Sequence, residues 1–221
     1  MTFADRREAG RLLAERLLRF KEGRPVVLAL PRGGVPVGFE IARALAAPLD
    51  LVLVRKLGAP GQPELAIGAL ALGEEAEFVT DPQLLAALGV PPAALEAIKA
   101  REVREIERRR KLYLGDRKPV PVAGRTAILV DDGIATGATM RAALAATRKR
   151  KPARLVLAVP VAPPDTIARL GPEADEIVCL AEPRSFLAVG QFYRTFTQLE
   201  DREVLDLLAA SRQFAAEGET S

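Results

Sequence analysis

The chain has 221 residues, 49% of them apolar, and its 32 basic and 29 acidic side chains leave a net charge of only +3. That size and apolar fraction suit one α/β domain over residues 1–221 rather than two. The charge balance, with aromatics at 5% and no Trp, argues against the clustered basic and aromatic surface of a nucleic-acid binder, and the single cysteine, Cys179, excludes an intrachain disulfide or a thiolate metal cluster.

Residues 3–20 carry Leu12, Leu13, Leu17 and Phe20 at helical spacing and run out at Gly23 before Pro25, which predicts an amphipathic helix. This segment alternates charges with leucines and has no signal-peptide core, and no later stretch reaches membrane-spanning length. The expected location is therefore the cytoplasm, with no membrane partner. Residues 26–30 (Val-Val-Leu-Ala-Leu) form a short continuous apolar run, the signature of a strand buried on both faces. Similar runs recur at 51–54, 127–130, 155–159 and 176–180, with helical candidates at 35–46, 138–150 and 164–170 between them. Strand and helix in alternation predict an open parallel sheet flanked by helices.

One insertion interrupts the alternation. Residues 55–61 read as a loop, and the stretches 66–72 and 76–79 around Gly73-Glu74-Glu75 read as a β-hairpin. Residues 92–113 predict a long helix, with Glu105/Arg109 and Glu107/Lys111 as favourable pairs four residues apart. Its cluster Arg108-Arg109-Arg110-Lys111 is expected to be a solvated face rather than an anion site. Cys179 lies in an apolar run and is expected to pack in the core, whereas residues 215–221 read as a frayed tail. The chain contains no His and no Asn while Arg, Glu and Pro are plentiful, a bias expected of a thermophilic source.

In an open parallel sheet the loops beyond the carboxyl ends of the strands form the ligand crevice. The loop after residues 127–130 reads Asp131-Asp132-Gly133-Ile134-Ala135-Thr136-Gly137-Ala138-Thr139 and leads into a helix. Free amides at a helix start, the helix dipole and threonine hydroxyls suit a phosphate, and Gly137 lets the backbone come close. Two carboxylates beside that site would repel the phosphate itself, but ionised Asp accepts hydrogen bonds from vicinal hydroxyls. A phosphorylated pentose carries both groups in the right order. The loop is neither a Walker loop nor a three-glycine dinucleotide fingerprint.

At this point the sequence resembles the type I phosphoribosyltransferases, whose signature is an apolar strand, two acids, a short spacer, Thr-Gly and a second Thr. The resemblance covers most of the chain. Ala29-Leu30-Pro31-Arg32-Gly33-Gly34 is similar to the family's pyrophosphate loop, Arg55-Lys56 to basic residues at the base of its flap, residues 57–80 to the flap itself, and residues 181–198 to the small C-terminal hood over the base. It implies 5-phosphoribosyl 1-diphosphate as donor, bound as the magnesium complex, and a nucleobase or other nitrogen nucleophile as acceptor. Arg32, Lys56, Asp131 and Asp132 are then the catalytic candidates. Gly33, Gly34, Arg55, Ala135, Thr136, Gly137, Ala138 and Thr139 would hold the donor, and Phe186 and Tyr193 would contact the base. Mg²⁺ would be carried by the donor, near Asp131 and Asp132, since those two carboxylates alone do not complete an octahedral site.

Each assignment has a plainer rival: a simple turn for Arg32, a solvated strand end for Arg55 and Lys56, and a satellite core for the hood aromatics. Members that use 6-oxopurines commonly carry an acid where this chain has Ala135, which argues against hypoxanthine and guanine. The resemblance also suggests a homodimer. Two alternatives stay open beside the transferase: a non-catalytic regulator that senses the donor, and a phosphoribosyl hydrolase. Retention of Arg32 and of Arg55-Lys56 favours the transferase.

Overall fold

The computed structural model describes residues 1–72 and 76–214. Its chain order is α1 (Arg6–Leu17), β1 (Val26–Ala29), α2 (Gly34–Leu45), β2 (Leu49–Leu51), β3 (Leu53–Ala59), β4 (Gln62–Leu72), β5 (Ala76–Thr80), α3 (Pro82–Ala87) and α4 (Pro92–Leu114). There follow β6 (Thr126–Val130), α5 (Ala138–Lys149), β7 (Arg154–Val161), α6 (Pro164–Leu170), β8 (Glu176–Ala181) and α7 (Asp201–Ala210). Strands β2-β1-β6-β7-β8 pair in that order as an all-parallel sheet, the α/β arrangement that the apolar runs predict. Alternate side chains serve opposite faces. Val27, Ala29, Ile128 and Val130 pack toward α1 and α2, while Val26, Leu28, Leu129 and Leu157 pack with Met140, Leu144 and Leu170 from α5 and α6. Both faces are therefore core, which is why the strands read as continuous apolar runs.

Register places the site. Ala29 pairs with Val130, so the loops that leave β1 and β6 emerge side by side. The Leu30 amide donates to the Val130 carbonyl at 2.9 Å and extends that pairing one residue further.

The insertion differs from its sequence reading. The run at 51–54 is divided: β2 ends at Leu51 in the parallel sheet, and after Val52 the chain turns into β3 of a separate antiparallel sheet, β3-β4-β5. The stretch read as a loop from residue 55 is thus strand up to Ala59, where the chain turns at Pro60-Gly61 into β4. The flap is three-stranded rather than a loop with a hairpin. It is also packed: Leu57, Ile67 and Leu70 belong to the main core, and Ala69 and Ala71 meet Ala142 and Ala146 of α5. Small side chains on both partners allow this close seat, and Lys149 of α5 pairs with Glu77 of β5 at its rim. The Gly73-Glu74-Glu75 turn and the tail at 215–221 lie outside the described residues.

The first helix ends at Leu17 and continues as a 3₁₀ turn through Gly23, while Phe3 lies before it, bridged to Tyr193. Two helices, α3 and α7, had no counterpart in the sequence reading. Asp81 caps α3 through its carboxylate, and Glu200 with Glu203 forms a capping box on α7. In α4, Glu105 accepts from Arg109 at 3.1 Å as its spacing predicts, and also from Arg108, which together hold its carboxyl down at about 2.

Cys179 packs against the α5/α6 side of the sheet, its thiol directed at the Ala181 carbonyl at 3.2 Å, and burial pushes its pKa up to about 11. Thiolate is the reactive species, so at pH 8 it should be on the order of a hundredfold scarcer than for an ordinary thiol. The expected result with a chromogenic disulfide reagent is labelling roughly 50-fold slower in native buffer than in denaturant. Equal rates would place Cys179 at an open surface.

Candidate functional site

The loops after β1 and β6 build the candidate site, and glycines set how close they come. A Cβ placed on Gly33 would lie 2.1 Å from Asp132 Oδ2, and one on Gly34 would lie 2.6 Å from the Val130 carbonyl oxygen. A side chain at Gly34 would force the loops apart and one at Gly33 would displace the Asp132 carboxylate, so Arg32-Gly33-Gly34 is seated directly on Asp131 and Asp132. The Pro31–Arg32 peptide within this loop is cis. Asp131 is half-buried and Asp132 buried at the foot of these two loops. Burial, reinforced by the charge of Asp132, raises the Asp131 pKa well above the carboxylate range; burial also raises that of Asp132, opposed by Arg6. Asp131 accepts from the Asp132 amide at 2.9 Å.

Beyond them Ala135, Thr136, Ala138 and Thr139 are exposed, and Gly137 takes a left-handed conformation (φ +82°) at the start of α5, where no side chain caps the helix. Its leading amides therefore face a pocket of about 200 Å³ lined by Thr136, Gly137 and Ala138, by Arg141 and Arg169, and by Gly68 of the flap sheet. Helix α6 braces this loop, with the Thr166 hydroxyl donating to the Ala135 carbonyl at 2.7 Å. Arg141 and Arg169 are absent from the sequence-based set. Arg141 had a legible signal, since it stands one helical turn after Gly137; Arg169 did not, because only the fold brings α6 here.

Other predicted residues go elsewhere. The Arg32 guanidinium donates to the Leu199 carbonyl at 2.7 Å and pairs with Asp201 at 3.1 Å, so it points to the start of α7, where Tyr113 of α4 also donates to Asp201. Arg55 gives both Nε and Nη2 to Glu102 of α4 at 2.9 and 2.7 Å. Burial of Glu102 opposes its ionisation, but Arg55 and Arg101 outweigh that and hold its pKa below the usual range. Lys56 is on the exposed side of β3.

In the hood, Tyr193 is buried: its ring lies 5.4 Å from that of Phe3 and 5.0 Å from that of Phe196, and its hydroxyl donates to the Asp132 carbonyl at 2.5 Å. It supports the Asp131-Asp132 loop, and its ring is committed to packing on Phe3 and Phe196 rather than offered to a base. Phe186 is half-buried on Phe192 at 5.2 Å, and the adjoining Leu187, which the sequence reading passed over, is 91% exposed. Arg6, also passed over, reaches Asp132 Oδ2 at 2.7 Å from the first turn of α1. Among the described residues no cluster of three or more His, Cys, Asp or Glu stands ready for a metal, and no helix is long and apolar enough to cross a membrane.

Residues 4–193 match the phosphoribosyl transferase domain family. A Mycobacterium tuberculosis protein named provisionally as a phosphoribosyl transferase is 48% identical over 217 residues, which are 98% of this chain and 48% of the relative. The chain thus spans about half the length of that curated relative. The crystal structure of TT1426 from Thermus thermophilus is 45% identical, with a TM-score of 0.82 over 95% of this chain and 99% of that one. The bifunctional protein PyrR of a Roseiflexus species is 36% identical over 126 residues, 56% of this chain and 62% of its own length.

Proposed function

From the premise that this chain belongs to the phosphoribosyl transferase domain family, we propose that it transfers a phosphoribosyl group from 5-phosphoribosyl 1-diphosphate to a nitrogen nucleophile of the nucleobase type, releasing pyrophosphate. The observation that carries this reading is the seating of Gly33 and Gly34 on the Asp131-Asp132 loop, with the uncapped start of α5 a few residues further on. Phosphate, diol and diphosphate of one donor each meet a suitable surface in the order they occur along it.

The 5-phosphate lies on the amides at Ala135, Thr136, Gly137, Ala138 and Thr139, with Arg141 and Arg169 beside it. Asp131 and Asp132 accept from the ribose hydroxyls. The diphosphate lies over the Arg32-Gly33-Gly34 amides, toward the Arg32 guanidinium. The acceptor nitrogen forms its bond to the anomeric carbon as the carbon–oxygen bond to diphosphate breaks, and the electron pair leaves with the diphosphate. Little covalent work falls to the chain; it positions the reactants and stabilises the departing charge. The acceptor approaches from the hood side, past Phe186 and the exposed Leu187. Arg55 and Lys56 act from the root of the flap sheet, Lys56 toward solvent and Arg55 by fixing β3 to Glu102.

A magnesium ion would come in on the donor, near Asp131 and Asp132, two carboxylates that alone do not complete an octahedral site. Such an ion supplies charge neutralisation on the diphosphate.

The test is calorimetric titration of magnesium 5-phosphoribosyl 1-diphosphate into wild type and into a variant with Asp131→Asn and Asp132→Asn together, followed by pyrophosphate release with a panel of nucleobases. We expect binding that the double variant loses, and release that depends on a base. Release of ribose phosphate without any base would indicate the hydrolase, and binding without release the sensor. No wild-type binding at millimolar donor would end the reading.

A further inference from the structure

Arg6 is nearly enclosed, with its side chain 11% exposed, and it contacts two separate stretches of chain. Its Nε donates to Asp132 Oδ2 at 2.7 Å, its Nη1 donates to the Thr197 carbonyl at 2.9 Å, and its guanidinium carbon lies 3.9 Å from the centre of the Phe196 ring. Phe196 in turn stacks on Tyr193, whose hydroxyl holds the Asp132 carbonyl. The contacts close a ring: Asp132 side chain, Arg6, Phe196, Tyr193, Asp132 backbone. A bare countercharge for a buried carboxylate would need none of this. The planar fork uses one edge on the carboxylate, another on a carbonyl and its face on an aromatic ring, which an ammonium cannot reproduce.

Resting on the donor-site reading above, we propose that Arg6 is a positioning residue that fixes Asp132 for the ribose hydroxyls and makes that placement depend on the hood. Arg6 occupies Oδ2 and so orients the carboxylate, leaving Oδ1 to the sugar. Because the same guanidinium is braced by Phe196 and Thr197, disturbance of the hood is transmitted to the donor site through Arg6. Donor affinity then depends on Phe196, a residue that is 37% exposed and meets Arg6 rather than Asp132.

The experiment is a double-mutant cycle on the affinity for magnesium 5-phosphoribosyl 1-diphosphate, with Arg6→Lys, Phe196→Leu and the two combined. Arg6→Lys keeps the charge and loses the fork; it should weaken binding about tenfold. Phe196→Leu should weaken binding roughly threefold in the wild-type background and clearly less in the Arg6→Lys background, since the route through Arg6 is then already cut and only the stack on Tyr193 remains. Wild-type affinity in Arg6→Lys, or a Phe196→Leu effect of the same size in both backgrounds, would overturn the proposal and leave the donor site standing. Absence of binding by wild type would instead remove the donor-site reading and this proposal with it. Should Arg6→Lys not fold, Phe196→Leu alone decides: its partly exposed position tolerates leucine, and unchanged donor affinity in it overturns the proposal.

Discussion

Asp131→Asn should weaken donor binding about 10- to 100-fold while raising the melting temperature at pH 8. The loss follows from exchanging a carboxylate, which accepts charge-assisted hydrogen bonds from the ribose hydroxyls, for a neutral amide; such bonds contribute about 1.5–3 kcal/mol. The gain in stability has a separate cause. Burial and the neighbouring Asp132 raise the Asp131 pKa in the folded chain, so the folded state holds that proton to higher pH than the unfolded state does. Its destabilising contribution is absent at low pH, grows as pH rises from the ordinary carboxylate range through the raised value, and is fully present above it. Asparagine keeps an oxygen for the Asp132 amide and carries no charge. An increase of about 3 °C or more is expected at pH 8, since each ~1 kcal/mol shifts a chain of this size by ~2–4 °C. At pH 4 the increase should largely vanish. Scanning calorimetry at the two pH values checks the stability effect and donor titration the binding effect; equal stabilisation at both would mean that charge is not the cause. Asp132→Asn should not stabilise in the same way, because it leaves the buried Arg6 without its carboxylate.

Arg32→Ala should lower turnover on the order of a hundredfold, as removal of one group that stabilises developing charge commonly does. The melting temperature should stay within about 1–2 °C of wild type, because the guanidinium and its Asp201 partner are each about two-fifths exposed and an ion pair that open to solvent contributes little. This separates a catalytic effect from a folding effect. In the free protein Arg32 is engaged with Leu199 and Asp201 at the start of α7, so it would have to exchange or share these partners to meet the diphosphate. Steady-state kinetics on the base that supports pyrophosphate release is the measurement. Unchanged turnover would take Arg32 out of the mechanism.

The parallel sheet was legible because burial on both faces wrote it as uninterrupted runs such as Val26-Val27-Leu28 and Ala127-Ile128-Leu129-Val130. Where that condition fails, so did the reading. In β2 the buried Asp50 interrupts the apolar run, its charge answered by Arg117 and by the Val120 amide, partners that local sequence does not announce. β3 contains Arg55 and Lys56 and so reads as a loop; what makes it a strand is pairing with β4 and the seat on α4 through Glu102. α7 was readable in principle from Val204 and Leu208 four residues apart, both buried. The loops of the candidate site were visible as motifs because their two acids, glycines and threonines stand in a row. Arg6 was not, since its partner lies 126 residues away and nothing around it in sequence distinguishes it from the other arginines of α1.

The pairing of Phe3 with Tyr193 has a consequence for how the molecule comes into being. The Phe3 amide bonds to the Phe192 carbonyl and the Arg194 amide to the Phe3 carbonyl, both at 2.8 Å, across nearly the whole length of the chain. During synthesis the first residues leave the ribosome long before their partners exist. The crossovers from β1 to β6 to β7 can assemble as they emerge, but the brace on Asp132 must wait for residues 193–197. The brace on Asp132 therefore sets after the strands it rests on, and a nascent chain stalled before Tyr193 would carry the sheet without the Tyr193 support of the Asp131-Asp132 loop.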